Sequence, residues 1–279
     1  MFKNILVPFY VSGGSPPETD KAIEIANTLQ ANLHILYVAG ERRHLPIART
    51  LSALSFYRKG PVAEKFRQPD FRGGQATSLH PALSFYFNVR HEEFRKAVVT
   101  YCWKNDIDLV LFFSDHAGYV EKLRQHFRVN AISGKLDCPV LFVHPWQGIF
   151  NIRNIVIPIG NFLPIRRLIF ASYLGKIFHS RIHLVALRGG LFNPGSGNCQ
   201  CIDKAYHILQ RNTNLPVEYN TIEGRNMEEA LFRYGKKIQA DLILTNPDDD
   251  SVLSSLLKGI AKKHDTHLTG ISTLTVRML

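Results

Sequence analysis

Lys3-Asn-Ile-Leu-Val-Pro8 returns 150 residues later as Arg153-Asn-Ile-Val-Ile-Pro158, and this echo decides how the chain is read. Three further blocks repeat in the same order. Asn32-Leu-His-Ile-Leu-Tyr-Val38 returns as Arg181-Ile-His-Leu-Val-Ala-Leu187, Asp108-Leu-Val-Leu-Phe112 as Asp241-Leu-Ile-Leu-Thr245, and Cys138-Pro-Val-Leu-Phe-Val143 as Ile271-Ser-Thr-Leu-Thr-Val276. Such ordered self-similarity is the mark of an internal duplication. The spacing falls from about 150 to about 133 after the second block, so the first copy carries about 17 additional residues. The expected domains are therefore 1–147, with a basic insertion at about 41–80, and 150–279.

Each block is a short aliphatic or β-branched run, and helical spacing fills the stretches between, giving a strand–helix alternation. Near-continuous apolar strands are buried on both faces, as in a parallel sheet covered by helices. Ser15 is placed to cap the first helix, Pro16 suits its first turn and Glu18 closes a capping box, with Ala22, Ile25, Ala26 and Leu29 on one stripe. A second helix begins near His91, with Phe94, Ala97, Val98 and Tyr101 on one face. Its counterpart begins at Asn226, boxed by Glu229, with Leu231, Tyr234 and Ile238 inward. Strands near Pro81–Val89 and Pro216–Thr221 precede these helices. The fold class expected is α/β: two tandem, doubly wound, mainly parallel five-stranded sheets with flanking helices, Rossmann-like in plan.

Hydrophobic residues at 45% and charged residues at 20% of 279 exclude collagen-like, low-complexity and wholly disordered classes. Four cysteines are too few for a disulfide framework, and their placement fits a reducing compartment. The apolar run after Met-Phe-Lys is too short, and lacks the cleavage pattern, for a signal peptide; it reads as a strand. No run reaches the roughly 18 apolar residues of a membrane-spanning helix, since Arg166 and Arg167 interrupt the stretch from Ile155 to Phe178. The expectation is a cytoplasmic protein with no membrane partner.

The net charge of +11 favours acidic partners electrostatically. Between Glu41 and His80 eight basic residues face three acids, interleaved with Phe56, Tyr57, Phe66 and Phe71. That composition is compatible with nucleic acid stacked on aromatics. A solvated insertion is the favoured reading.

Taken together, Asn4-Ile-Leu-Val-Pro8 and Asn154-Ile-Val-Ile-Pro158 at the head of each half, Asp108-Leu-Val-Leu and Asp241-Leu-Ile-Leu, and Cys138-Pro-Val-Leu-Phe-Val143 resemble the universal stress protein family in tandem form. The resemblance covers both halves and implies an adenine nucleotide alpha hydrolase-like fold and a role in stress response. In nucleotide-binding members of that family an Asp ends the first strand and a G-x2-G-x9-G-[ST] loop follows the fourth. Glycine lets backbone N–H groups approach phosphate, and a helix N-terminus favours the anion. Here the Asp position holds Tyr10 in the first half and Gly160 in the second. The loop positions hold Phe113, His116, His126 and Phe127 in the first half, and Asn246, Asp249, Gly259 and Ile260 in the second.

The resemblance thus implies a stress-response protein whose ATP sites have drifted, acting by binding a protein partner or by self-association. No catalytic residue, no metal and no cofactor are expected. The alternative keeps ATP or another anionic metabolite in the second half, at Gly160, Asn161, Asn246, Asp249 and Gly259. Asp248-Asp-Asp250 opposes a polyphosphate there by like charge. His116, Lys122, Arg124, His126 and Arg128 crowd the corresponding loop of the first half, as a solvated basic face or an anion site.

Other groupings read as structural. Cys199-Gln-Cys201 with His207 lies beside a loop-like Asn193-Pro-Gly stretch and lacks zinc spacing. His264 and His267 have no third ligand nearby. His34 and His183 occupy matching strand positions, as core histidines would after duplication. Ser133-Gly-Lys135 lacks the remainder of a phosphate loop, and no G-x-S-x-G, H-E-x-x-H or C-x-x-C occurs.

Overall fold

The computed structural model describes residues 2–10, 16–39, 79–80, 82–113, 135–143, 150–160, 162–188, 198–223, 227–246 and 271–277. The chain packs as two compact units: unit 1 is Met1–Phe113 with Gly148–Phe150, and unit 2 is Ser114–Gln147 with Asn151–Leu279. Among the described residues no helix is long and apolar enough to cross a membrane.

Unit 1 runs β1 (Asn4–Tyr10), α1 (Pro16–Leu29), β2 (Asn32–Ala39), β3 (Phe85–His91), α2 (Phe94–Lys104) and β4 (Leu109–Phe113). Its strands lie in the order β3-β2-β1-β4, all parallel. Ile5, Leu6 and Val7 are successive residues, yet all three are buried. A strand shielded on both faces requires that unbroken apolar run. The stripes expected of α1 and α2 are the buried faces: Ala22, Ile25, Ala26 and Leu29 in one, Phe94, Ala97, Val98 and Tyr101 in the other. Ser15, the expected cap of α1, lies outside the described residues.

Unit 2 contributes β5 (Val140–Val143), β6 (Asn154–Ile159), α3 (Ile165–Phe178), β7 (Arg181–Arg188), α4 (Asn198–Asn212), β8 (Val217–Glu223), α5 (Met227–Lys237), β9 (Leu242–Thr245) and β10 (Ser272–Thr275). The order is β5-β10-β9-β6-β7-β8. Among the described residues of unit 2, β6 pairs with β7 and β9, β7 with β8 and β9 with β10 in parallel, whereas β5 pairs with β10 in antiparallel register. Val156, Val185 and Ile243 pack beneath Leu231 and Phe232 of α5 to form one core cluster. Each such side chain contributes about 2 kcal/mol on leaving water.

The repeated Asp residues serve at the amino ends of the strands. Asp108 Oδ2 accepts the N–H groups of Lys3 (2.8 Å) and Asn4 (3.0 Å). In the same way Asp241 Oδ2 accepts those of Arg153 (2.7 Å) and Asn154 (2.8 Å). Both carboxylates staple the start of one strand to the start of its neighbour and satisfy donors that no ladder partner reaches.

Candidate functional site

In an open α/β sheet a ligand sits beyond the carboxyl ends of the strands, where the order reverses. That point lies between β1 and β4 in unit 1 and between β6 and β9 in unit 2.

In unit 1, β1 ends at Tyr10 and β4 at the buried Phe113. The basic positions His116, Lys122, Arg124, His126 and Arg128 and the loop position Phe127 lie outside the described residues, as does the insertion apart from Leu79 and His80. The first turns of α1 hold a buried acid, Glu18, which suits the positive end of a helix. Lys21, also buried, pairs with Glu24 at 2.8 Å. Burial raises the Asp20 carboxyl above its ordinary range.

In unit 2, β6 ends in Ile159 and is followed by Gly160. A Cβ on Gly160 would meet no heavy atom of the described residues within 4 Å, so among them the position that the resemblance assigns to a carboxylate is open. Across the crevice, β9 ends in Thr245 and is followed by the buried Asn246. Thr245 is 1% exposed, and its hydroxyl has no hydrogen-bond partner among the described residues. A buried hydroxyl left in that state costs about 1–3 kcal/mol. Asn161, Asp249 and Gly259 lie outside the described residues, as do Asp248, Asp250, Ile260, His264 and His267.

Arg167 is a residue that sequence reading used only as an interruption of an apolar run. It is 5% exposed, donates from Nη1 to the Pro158 carbonyl at 3.1 Å, and places its guanidinium carbon 5.5 Å from the centre of the Phe162 ring. The chain thus holds a buried cation at the end of β6. α1 and α3 are both 14 residues long with an offset of 149, so Arg167 stands where unit 1 has Glu18. Thr245 likewise stands where unit 1 has Phe112. The two residues lie on opposite faces of the sheet: Thr245 shares the face of Ile243, under α5, whereas α3 packs over Ile182. Both departures show when the two copies are laid over one another.

Among the described residues there is no group of three or more metal-ligating side chains. Cys199 and Cys201 fall in the first turn of α4, not in a loop, and His207 is turned edge-on to Tyr206. Cys102, Cys138 and Cys201 are thiols. His34 and His183 are both buried strand residues, and each faces a tyrosine of the helix that covers it, at 3.1 Å from Tyr101 and 3.3 Å from Tyr234.

Solved structures that extend over nearly the whole chain include the following three. One is a universal stress protein from Archaeoglobus fulgidus DSM 4304, with TM-score 0.63 and 9% identity, covering 98% of this chain and 96% of its own. The second is a candidate universal stress protein from Pseudomonas aeruginosa UCBPP-PA14, with TM-score 0.55, 14% identity and coverage of 99% and 93%. The fold is that of the universal stress proteins. The cytoplasmic domain of a prokaryotic cation chloride cotransporter matches at TM-score 0.53 and 14% identity, over 99% of this chain and 95% of that one. Likeness at these identities shows the fold, and function has to be argued from the site. No protein-family model and no curated protein matches the chain in sequence.

Proposed function

We propose that the chain is a tandem universal stress protein-like protein, built of copies 1–147 and 150–279, that acts in the cytoplasm by binding rather than by catalysis. Its role belongs to stress response, its nucleotide sites have drifted, and its work is done through a protein partner or through self-association. The observation that carries this reading is Gly160. The β6 terminus offers no carboxylate to hold a nucleoside, although the space for one is open. The likeness to a cotransporter's cytoplasmic domain supports a fold that serves larger assemblies. Native mass spectrometry of the freshly purified chain tests the reading. The expected species carry no bound nucleotide, alone or self-associated, and an adenine-nucleotide adduct on the chain would overturn it.

A second reading keeps a small anionic metabolite, ATP among them, in the crevice of unit 2, at Gly160, Asn161, Asn246, Asp249 and Gly259. Two observations favour it: the buried Arg167 guanidinium at the end of β6 and the unpartnered Thr245 hydroxyl at the end of β9. Nucleic-acid binding through the basic segment 41–80 is a third and less favoured reading. It predicts binding of a mixed oligonucleotide pool that falls steeply with salt.

A further inference from the structure

The repeat gives each unit a histidine at the same place on its second strand, but the surroundings differ in one respect that matters for a proton. In unit 1, His34 pairs across the sheet with Leu6 on β1 and Tyr86 on β3. The Tyr86 ring stacks on the imidazole at 4.3 Å, and Tyr101 of α2 meets Nδ1 at 3.1 Å. Nε2 is buried and has no hydrogen-bond partner among the described residues. In unit 2, His183 pairs with Val156 on β6 and Glu218 on β8. Its Nδ1 lies 3.3 Å from Tyr234 Oη and 3.6 Å from Glu218 Oε2, and its Nε2 lies 3.4 Å from Asn154 Oδ1.

The difference traces to two substitutions between the copies. Asn4, the counterpart of Asn154, is engaged by Asn32, whose Nδ2 donates to Asn4 Oδ1 at 3.0 Å. Unit 2 has Arg181 in place of Asn32; it holds Glu218 at 2.9 Å and leaves the Asn154 oxygen to the histidine. The other substitution puts Glu218 where unit 1 has Tyr86. An imidazolium has two N–H donors and no acceptor. At His183 both donors find oxygens, one of them on a carboxylate. At His34 the second donor finds none among the described residues, and the titratable groups on the packed elements are Tyr86, Arg90 and His91 of β3 and Arg95, Lys96, Tyr101, Cys102 and Lys104 of α2, with no acid among them.

We propose that His34 makes unit 1 sensitive to acid and that Glu218 spares unit 2: a proton on the His34 imidazole is buried without compensation and loosens the packing of β2 against α2, whereas a proton on His183 is accommodated. Burial lowers His34 from the ordinary 6.5 to about 4. Burial also lowers His183, opposed by Glu218 and reinforced by Arg181. The sign follows from linkage: the unfolded imidazole takes up a proton near pH 6.5 and the folded one does not. Unit 1 therefore keeps its full stability above pH 6.5 and loses it as the pH falls from 6.5 towards 4.

Hydrogen exchange of the whole chain at pH 7.5 and pH 5.0, corrected for intrinsic rates, tests this. Openings that expose His34 should increase by up to about 30-fold at pH 5.0, read in peptides over 32–39 and 94–104. Peptides over 181–188 and 227–237 should change less. In Glu218→Gln, a substitution at a half-exposed side chain, the unit 2 peptides should gain the acid response, and in His34→Leu the unit 1 response should vanish. Equal responses of the two units in the wild-type chain, or no response in unit 1, would overturn the role of His34 even where His34→Leu does not fold. An acid-indifferent unit 2 in Glu218→Gln would overturn the role of Glu218.

Discussion

Two threonines that face one another across the β9–β10 ladder should respond to the same substitution with opposite signs. Thr245 and Thr275 are register partners, and each is 1% exposed. The Thr275 hydroxyl donates to the Val140 carbonyl at 3.2 Å, whereas the Thr245 hydroxyl has no partner among the described residues. Thr→Val keeps the β-branch and the strand preference, so the hydroxyl is the main change. In Thr245→Val a buried polar group that costs about 1–3 kcal/mol is replaced by a methyl group, so unit 2 should gain about 1–2 kcal/mol. In Thr275→Val a hydrogen bond is lost and a carbonyl loses an acceptor role, at a cost of about 1 kcal/mol. For a unit of this size each kcal/mol shifts the midpoint by about 2–4 °C. Thermal unfolding followed by circular dichroism and by calorimetry should therefore show Thr245→Val melting above the wild type and Thr275→Val below it. A lower midpoint for Thr245→Val would refute the reasoning, because it would show that the hydroxyl is satisfied in solution.

Removing the Asp241 staple in Asp241→Ala leaves the N–H groups of Arg153 and Asn154 to water; the expected loss is about 1–3 kcal/mol in chemical denaturation, and an unchanged midpoint would contradict the staple. Gly160→Asp should fold with unchanged or slightly raised stability, since the site is open and a side chain restricts the unfolded backbone by about 0.4–1 kcal/mol. A loss above about 1 kcal/mol would show that the pocket is filled.

Much of the architecture was legible because the chain says it twice. The stripe Ala22, Ile25, Ala26, Leu29 and the face Phe94, Ala97, Val98, Tyr101 follow from helical period alone, and the repeated aliphatic runs mark strands buried on both sides. The direction of a strand is not written in such a run. Val140–Val143 reads like its neighbours, yet its pairing with β10 is antiparallel. Cys199 and Cys201 were expected beside a loop because Asn193-Pro-Gly precedes them, but α4 starts at Asn198. The crevice was less legible. Arg167 looked like a polar break, since only tertiary packing buries it against Pro158 and Phe162. The Thr245 hydroxyl is one more strand threonine until its surroundings are known. Asp108 and Asp241 were visible as a motif, but their work at the amino ends of the strands depends on which strands lie side by side.

Calorimetric titration of the whole chain with Mg-ATP at physiological salt tests the proposal that this universal stress protein fold works without a nucleotide site. With the protein concentrated enough to detect millimolar affinity, the account predicts heats no larger than dilution. A one-site isotherm that disappears in an Asn246 or Gly259 variant would contradict it, and would place nucleotide in the crevice of unit 2.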